Sequence, residues 1–145
     1  MNHKTTEKLV HEIKNSTDIE DYLTQNSEEM QLQSLTDALH QLLVEKQISR
    51  ADAARGSLLD RAYVYQIFSG ERTPSRDKLI ALAFGLQLSD TQTQTILKLS
   101  CNRELYARDQ RDALILFALH HAMTIMEVNE LLFTHDFSVL GTLHE

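Results

Sequence analysis

The chain has 145 residues, 42% apolar and 24% charged, with a formal charge of −7, four glycines, one proline and one cysteine. That length suits one domain with or without an extension, and scarce glycine without β-branched alternation predicts an all-α globular chain. No apolar run approaches a membrane span, Met1–Lys14 lacks the apolar core of a signal peptide, and a lone cysteine excludes an internal disulfide, which together predict a cytoplasmic protein.

Helix starts are well marked along the chain. Thr17-Asp18-Ile19-Glu20 reads as a capping box that opens a short helix with Ile19, Tyr22 and Leu23 on one face. Ser34-Leu35-Thr36-Asp37 opens the next, where Leu35, Leu39, Leu42 and Leu43 recur at helical spacing. Ser49-Arg50-Ala51-Asp52 starts a third. Asp60 is placed to cap a helix that runs to about Phe68 and ends at Ser69-Gly70. After Glu71-Arg72-Thr73-Pro74-Ser75, Ser75 caps Arg76–Leu86, and Ser89-Asp90-Thr91-Gln92 caps a helix through about Leu99. Asn102 is expected to start a short helical turn, with Cys101 before it as a small, partly buried helix residue. Asp109-Gln110-Arg111-Asp112 begins a helix whose Leu114, Ile115, Phe117, Ala118 and His121 are expected to line a buried stripe. Thr124-Ile125-Met126-Glu127 is another capping box, followed by Val128, Leu131, Leu132 and Phe133. The short connection His121-Ala122-Met123 makes these last two helices neighbours.

The most informative stretch is Ile48–Ser89. A short helix, a tight turn, a second helix with polar and aromatic outward positions, and a basic loop afterwards form a helix-turn-helix, which places its second helix in the major groove of DNA. Tyr63–Ser75, YVYQIFSGERTPS, and Leu79-Ile80-Ala81-Leu82-Ala83 followed by Leu86 resemble the Cro/cI-like (XRE) family of helix-turn-helix regulators. Leu58 stands where the family usually has a glycine, and Ala53 where it usually has a leucine. A side chain at positive φ is costly, so the turn at Leu58 is expected to take another geometry. Ser16–Leu23, Asp60–Gly70, Arg111-Asp112-Ala113 and Met126–Leu132 look like a set found together in XRE-like proteins of Gram-positive bacteria. The resemblance implies an all-α, lambda-repressor-like domain over 34–89, an acidic helical extension over 1–33, and a helical extension over 90–145. The last is a candidate dimerisation or partner surface.

Net charge alone argues against a nonspecific nucleic-acid binder, but its distribution does not. Met1–Ser34 has three bases against seven acids, Leu35–Ser89 seven against six, and Asp90–Glu145 four against eight. Positive charge therefore concentrates in the helix-turn-helix.

On the helix from Asp60 to Phe68, Val64, Ile67 and Phe68 should face the core. Arg61, Ala62, Tyr65 and Gln66 then point outward as base readers. Arg suits the two acceptors of guanine, Gln the acceptor and donor of adenine, and Ala a thymine methyl. Tyr63 and Tyr65 fall on different faces. Arg50, Arg72 and Arg76, with the hydroxyls of Ser69, Thr73 and Ser75, are the candidate phosphate contacts. The competing arrangement pairs these arginines with Asp52, Glu71 and Asp77. One short helix reads few base pairs, so a homodimer on a palindromic double-stranded site is expected.

Enzyme chemistry finds no motif: there is no P-loop, nucleophile elbow, paired-cysteine pattern or HExxH. His120 and His121 are adjacent, about 100° apart on a helix, and cannot share a metal as an i, i+4 pair would. No cofactor is expected. The acid pairs Glu20-Asp21 and Glu28-Glu29 read as solvated helix faces. The reading that competes with a DNA-binding transcriptional regulator is a protein-interaction adapter, antitoxin-like or kinase-associated, with DNA binding weak or lost. The discriminator is whether Arg61, Arg72 and Arg76 converge on one exposed face or acids cover it.

Overall fold

The computed structural model describes residues 4–26 and 34–141, all of whose regular structure is α-helical. The chain divides into two compact units, Met1–Ser34 and Leu35–Glu145. Glu28 and Glu29 lie outside the described residues.

The first unit holds α1 (Thr6–Asn15) and α2 (Ile19–Gln25). Asp18 alone caps α2, accepting from the Glu20 amide, in place of the expected box from Thr17. Helix α1, which the sequence reading did not single out, starts where Thr5 accepts from the Lys8 amide. This unit is held by polar contacts more than by an apolar core. The Lys4 ammonium donates to Glu12 at 2.9 Å and to Asn26 Oδ1 at 2.6 Å, and Asn26 donates to the Tyr22 carbonyl. The hydrogen bond from Lys4 holds the Glu12 carboxyl below its usual range.

The second unit holds α3 (Leu35–Lys46), α4 (Arg50–Ser57), α5 (Arg61–Ser69), α6 (Arg76–Gly85), α7 (Asp90–Leu99), α8 (Gln110–His120) and α9 (Ile125–Thr134). Each start from α4 onward has the expected cap. Ser49, Asp60, Ser75 and Asp109 accept from first-turn amides, and Ser89–Gln92 and Thr124–Glu127 are complete capping boxes. Helix α6 is buried from Leu79 to Gly85. An element apolar all round belongs in the centre, and the other helices gather on it. The core runs without a break from Leu39, Val64 and Phe68 through Leu79–Ala83 to Ile115, Leu132 and Leu140.

Helix α4 meets α6 backbone to backbone. A Cβ built on Gly85 would lie 2.2 Å from the Ala53 carbonyl oxygen, and one on Gly56 would lie 3.0 Å from the Gly85 Cα. Ala53 is fully buried there, which explains why this chain has no leucine at that position. The turn after α4 departs from expectation in the other direction. Leu58 does adopt the left-handed conformation, φ 58° and ψ 23°, that glycine would take more cheaply. Its side chain packs on the core, and the buried Leu59 follows, so apolar burial offsets the backbone cost.

Three other expectations are corrected. In α8 the buried residues are Asp112, Ile115, Ala118 and Leu119, while Phe117 is 49% exposed and His121 stacks on it from outside. The helix is turned by its inward-facing Asp112, and at 100° per residue Phe117 and His121 sit about 140° and 180° away. No helical turn forms at 102–106. Cys101 is exposed, in a left-handed conformation that closes the connection after α7.

Candidate nucleic-acid interface

Helices α4 and α5 and the turn Leu58-Leu59-Asp60 form the helix-turn-helix. The Asp60 carboxylate accepts from the Tyr63 amide at 3.1 Å, and Gly70 ends α5 at φ 86°. Val64, Ile67 and Phe68 are buried, which fixes the rotation of α5 about its axis. The His40 ring meets the Phe68 carbonyl at 2.8 Å and ties α3 to the end of α5. With that rotation set, Arg61 and Ala62 are exposed, and Tyr63, Tyr65 and Gln66 are half-buried.

Two aromatic rings organise the cations around this helix. Tyr65 has the Arg50 guanidinium 4.9 Å from its ring centre and that of Arg61 at 5.4 Å, and Arg61 Nε also donates to the Tyr65 hydroxyl oxygen at 3.0 Å. Tyr63 has Arg72 at 5.8 Å and the Lys78 ammonium at 4.6 Å. Arg72 Nε donates to Gln66 Oε1 at 2.8 Å, and the Arg72 amide donates to the Gln66 carbonyl. Burial pushes the Tyr63 hydroxyl pKa upward against the opposing charge of Arg72, so Tyr63 is a neutral donor and acceptor at physiological pH.

Of the three acids that could neutralise this face, Asp52 and Asp77 are engaged elsewhere, and Glu71 is exposed without an ion pair among the described residues. Asp52 pairs with Arg55 one turn along α4, and Asp77 pairs with Arg111 on α8. Among the described residues Arg50, Arg61, Arg72 and Lys78 make no ion pair with a carboxylate. Cations held by rings and amides keep their charge available to an incoming anion.

The remaining expected contacts divide. Thr73 is exposed on the loop after α5. The Ser69 hydroxyl donates to the Gln66 carbonyl, and Ser75 Oγ serves as the cap of α6. Arg76 differs from the expectation of a phosphate contact. It spends its guanidinium on Asp112 at 2.9 and 3.3 Å and on the Arg103 and Glu104 carbonyls. Lys78 and Tyr63 join the face although sequence reasoning did not assign them to it. Their meeting joins the first turn of α6 to α5, and no local spacing reveals such a contact. His120 and His121 are edge to face and exposed at the end of α8, and no group of three or more possible ligands for a metal occurs among the described residues. No helix among these residues is long and apolar enough to cross a membrane.

A family model described as Helix-turn-helix matches residues 39–90, from within α3 to the start of α7. Neither a curated protein nor a solved structure matches the chain. The matched family is one of DNA-binding regulatory domains. Its span contains the turn at Leu58, the capped α5 and the loop that carries Arg72, and residues 39–90 form a helix-turn-helix domain of the Cro/cI-like (XRE) type.

Proposed function

We propose that the protein is a sequence-specific regulator of transcription that binds double-stranded DNA as a homodimer in the bacterial cytoplasm. One observation carries this reading: four cations without carboxylate partners among the described residues surround Tyr63, Tyr65 and Gln66 along the outward side of α5. Arg61, Ala62, Tyr65 and Gln66 face the base edges. Arg50, Arg72 and Lys78 meet phosphates on either side, with Ser69, Thr73 and the start of α6 beside them. Gln66 reads adenine with both amide atoms only after Arg72 releases its oxygen, so base reading and phosphate contact are coupled. Residues 34–89 supply the DNA-binding domain, and 90–145 the surface for dimerisation or a partner.

The test is selection of bound duplexes from a random library at physiological salt. Enrichment of a two-fold symmetric site supports the reading. The adapter reading has one observation in its favour, the exposure of Met126 at 65% and Phe133 at 77%, seven residues apart on α9. A library that yields no enriched sequence selects the adapter.

A further inference from the structure

Two dipeptides of the same sequence face each other across the second unit. Arg76-Asp77 begins α6, and Arg111-Asp112 lies in the first turn of α8. They hold each other crosswise. Arg76 donates through Nη1 and Nη2 to Asp112 at 3.3 and 2.9 Å, and Arg111 donates through Nη1 and Nη2 to Asp77 at 2.9 and 3.0 Å. Further bonds lock the pair in place. Arg76 donates to the carbonyls of Arg103 and Glu104 at 2.7 and 3.0 Å, and Arg111 to that of Ser138 at 3.2 Å. Asp112, 1% exposed, also accepts from the Tyr106 amide at 3.0 Å. Bidentate arginine–carboxylate pairs constrain distance and angle together, and a buried carboxylate with several donors resists both water and salt.

We propose that this crosswise clasp makes the C-terminal helices a positioning element of the DNA-binding face. The inference rests on the DNA-binding reading given above. The loop from Gly70 to Ser75 leaves α5 through the Arg72 amide bond to the Gln66 carbonyl at 3.2 Å. It enters α6 through the Leu79 amide bond to the Ser75 carbonyl at 2.9 Å. The clasp grips α6 at the two residues that follow this loop. Lys78 comes next, and its ammonium lies over Tyr63 beside Arg72. Four residues thus set where Arg72 and Lys78 stand relative to α5. Their own charged groups are spent on each other, so they are positioning residues that act through Arg72 and Lys78.

The experiment uses the full chain with Arg111→Gln, Asp77→Asn and the double variant. Asp112→Asn is the obvious choice but alters a carboxylate that is 2% exposed and also holds the Tyr106 amide, whereas the Asp77 side chain is half exposed and binds Arg111 alone. Three quantities are read: folded fraction by circular dichroism, affinity for the duplex selected by the wild-type protein, and hydrogen exchange of the amides at 71–78. The expected result is folded variants that bind about tenfold more weakly, within the range for residues that act on a site through others. Exchange at 71–78 is faster in each variant, and the double variant binds no worse than either single one. Folded variants with wild-type affinity, or with unchanged exchange at 71–78, overturn the proposal. A wild-type protein that selects no duplex overturns the DNA-binding reading itself, and the two failures are therefore separable.

Discussion

Arg72 and Arg76 stand four residues apart and are indistinguishable by charge, yet they sit in opposite environments. Arg72 is exposed, held over Tyr63 and by Gln66, and is a proposed phosphate contact. Arg76 is paired with Asp112, whose side chain is 2% exposed. Arg72→Ala is expected to weaken binding to all duplexes alike and to lower the salt slope by roughly one unit. Arg76→Ala is expected to act on the fold, since it leaves a buried carboxylate only the Tyr106 amide and Arg103 at 3.7 Å, at a cost of up to about 3–5 kcal/mol. Urea unfolding beside titrations at several salt concentrations checks both. A similar loss of stability in the two variants would count against the division. Among the proposed base readers, Arg61→Ala and Gln66→Ala are each expected to cost roughly 1–3 kcal/mol on the preferred site and to relax the choice at one position. Repeating the library selection with each variant measures this, and profiles identical to wild type, with the fold intact, would remove the assignment.

At the scale of elements, the contact between α4 and α6 sets the angle at which the helix-turn-helix leaves the core. Small residues bring the two backbones together, and Gly85 faces the Ala53 carbonyl with no room for a methyl group. Gly85→Ala is therefore expected to destabilise the unit by about 1–3 kcal/mol or more, because backbone and not a flexible side chain must yield. Thermal melting reports the change, and a melting temperature equal to wild type would show that α4 can shift freely. The turn that follows is braced from the far end of the chain. Asn129 exchanges two hydrogen bonds with Leu140, at 2.7 and 2.8 Å, and Gly141 lies against Ser57 and Leu58. The C-terminal tail thus closes over the turn that orients α5.

For the molecule as a whole, the two apolar neighbours on α9 separate core from surface. Leu132 is fully buried, whereas Phe133 is 77% exposed. Leu132→Asp places an unpaired charge in the core and is expected to unfold the unit. Phe133→Asp is expected to leave the helical signal unchanged and to dissociate the proposed dimer. Sedimentation velocity with circular dichroism distinguishes these results, and a folded Phe133→Asp protein of undiminished mass would take α9 out of the interface. Basic charge concentrates in the helix-turn-helix segment, so affinity for DNA should fall steeply with salt as its phosphate contacts give way to counterions.

Much of this protein is legible in local sequence. The caps at Ser49, Asp60, Ser75, Ser89, Asp109 and Thr124 depend on side chains within three residues of the amides they satisfy. The inward set Val64, Ile67 and Phe68 follows from helical period alone. Those two rules locate α5 and its outward side. Distant contacts are where the reading stops. The burial of Asp112 turns α8 away from its most apolar stripe, because a charge that meets Arg76 across the core outweighs the exposure of Phe117. Leu58 takes a conformation that local energetics disfavour, because packing on the core compensates it. Lys78 reaches Tyr63, and Arg76 leaves the proposed DNA-binding face, only when the first turn of α6 is brought to α5 and α8. Hydrogen bonds within a turn are written in neighbouring residues, whereas the partner of an arginine is chosen by which helices the core brings together.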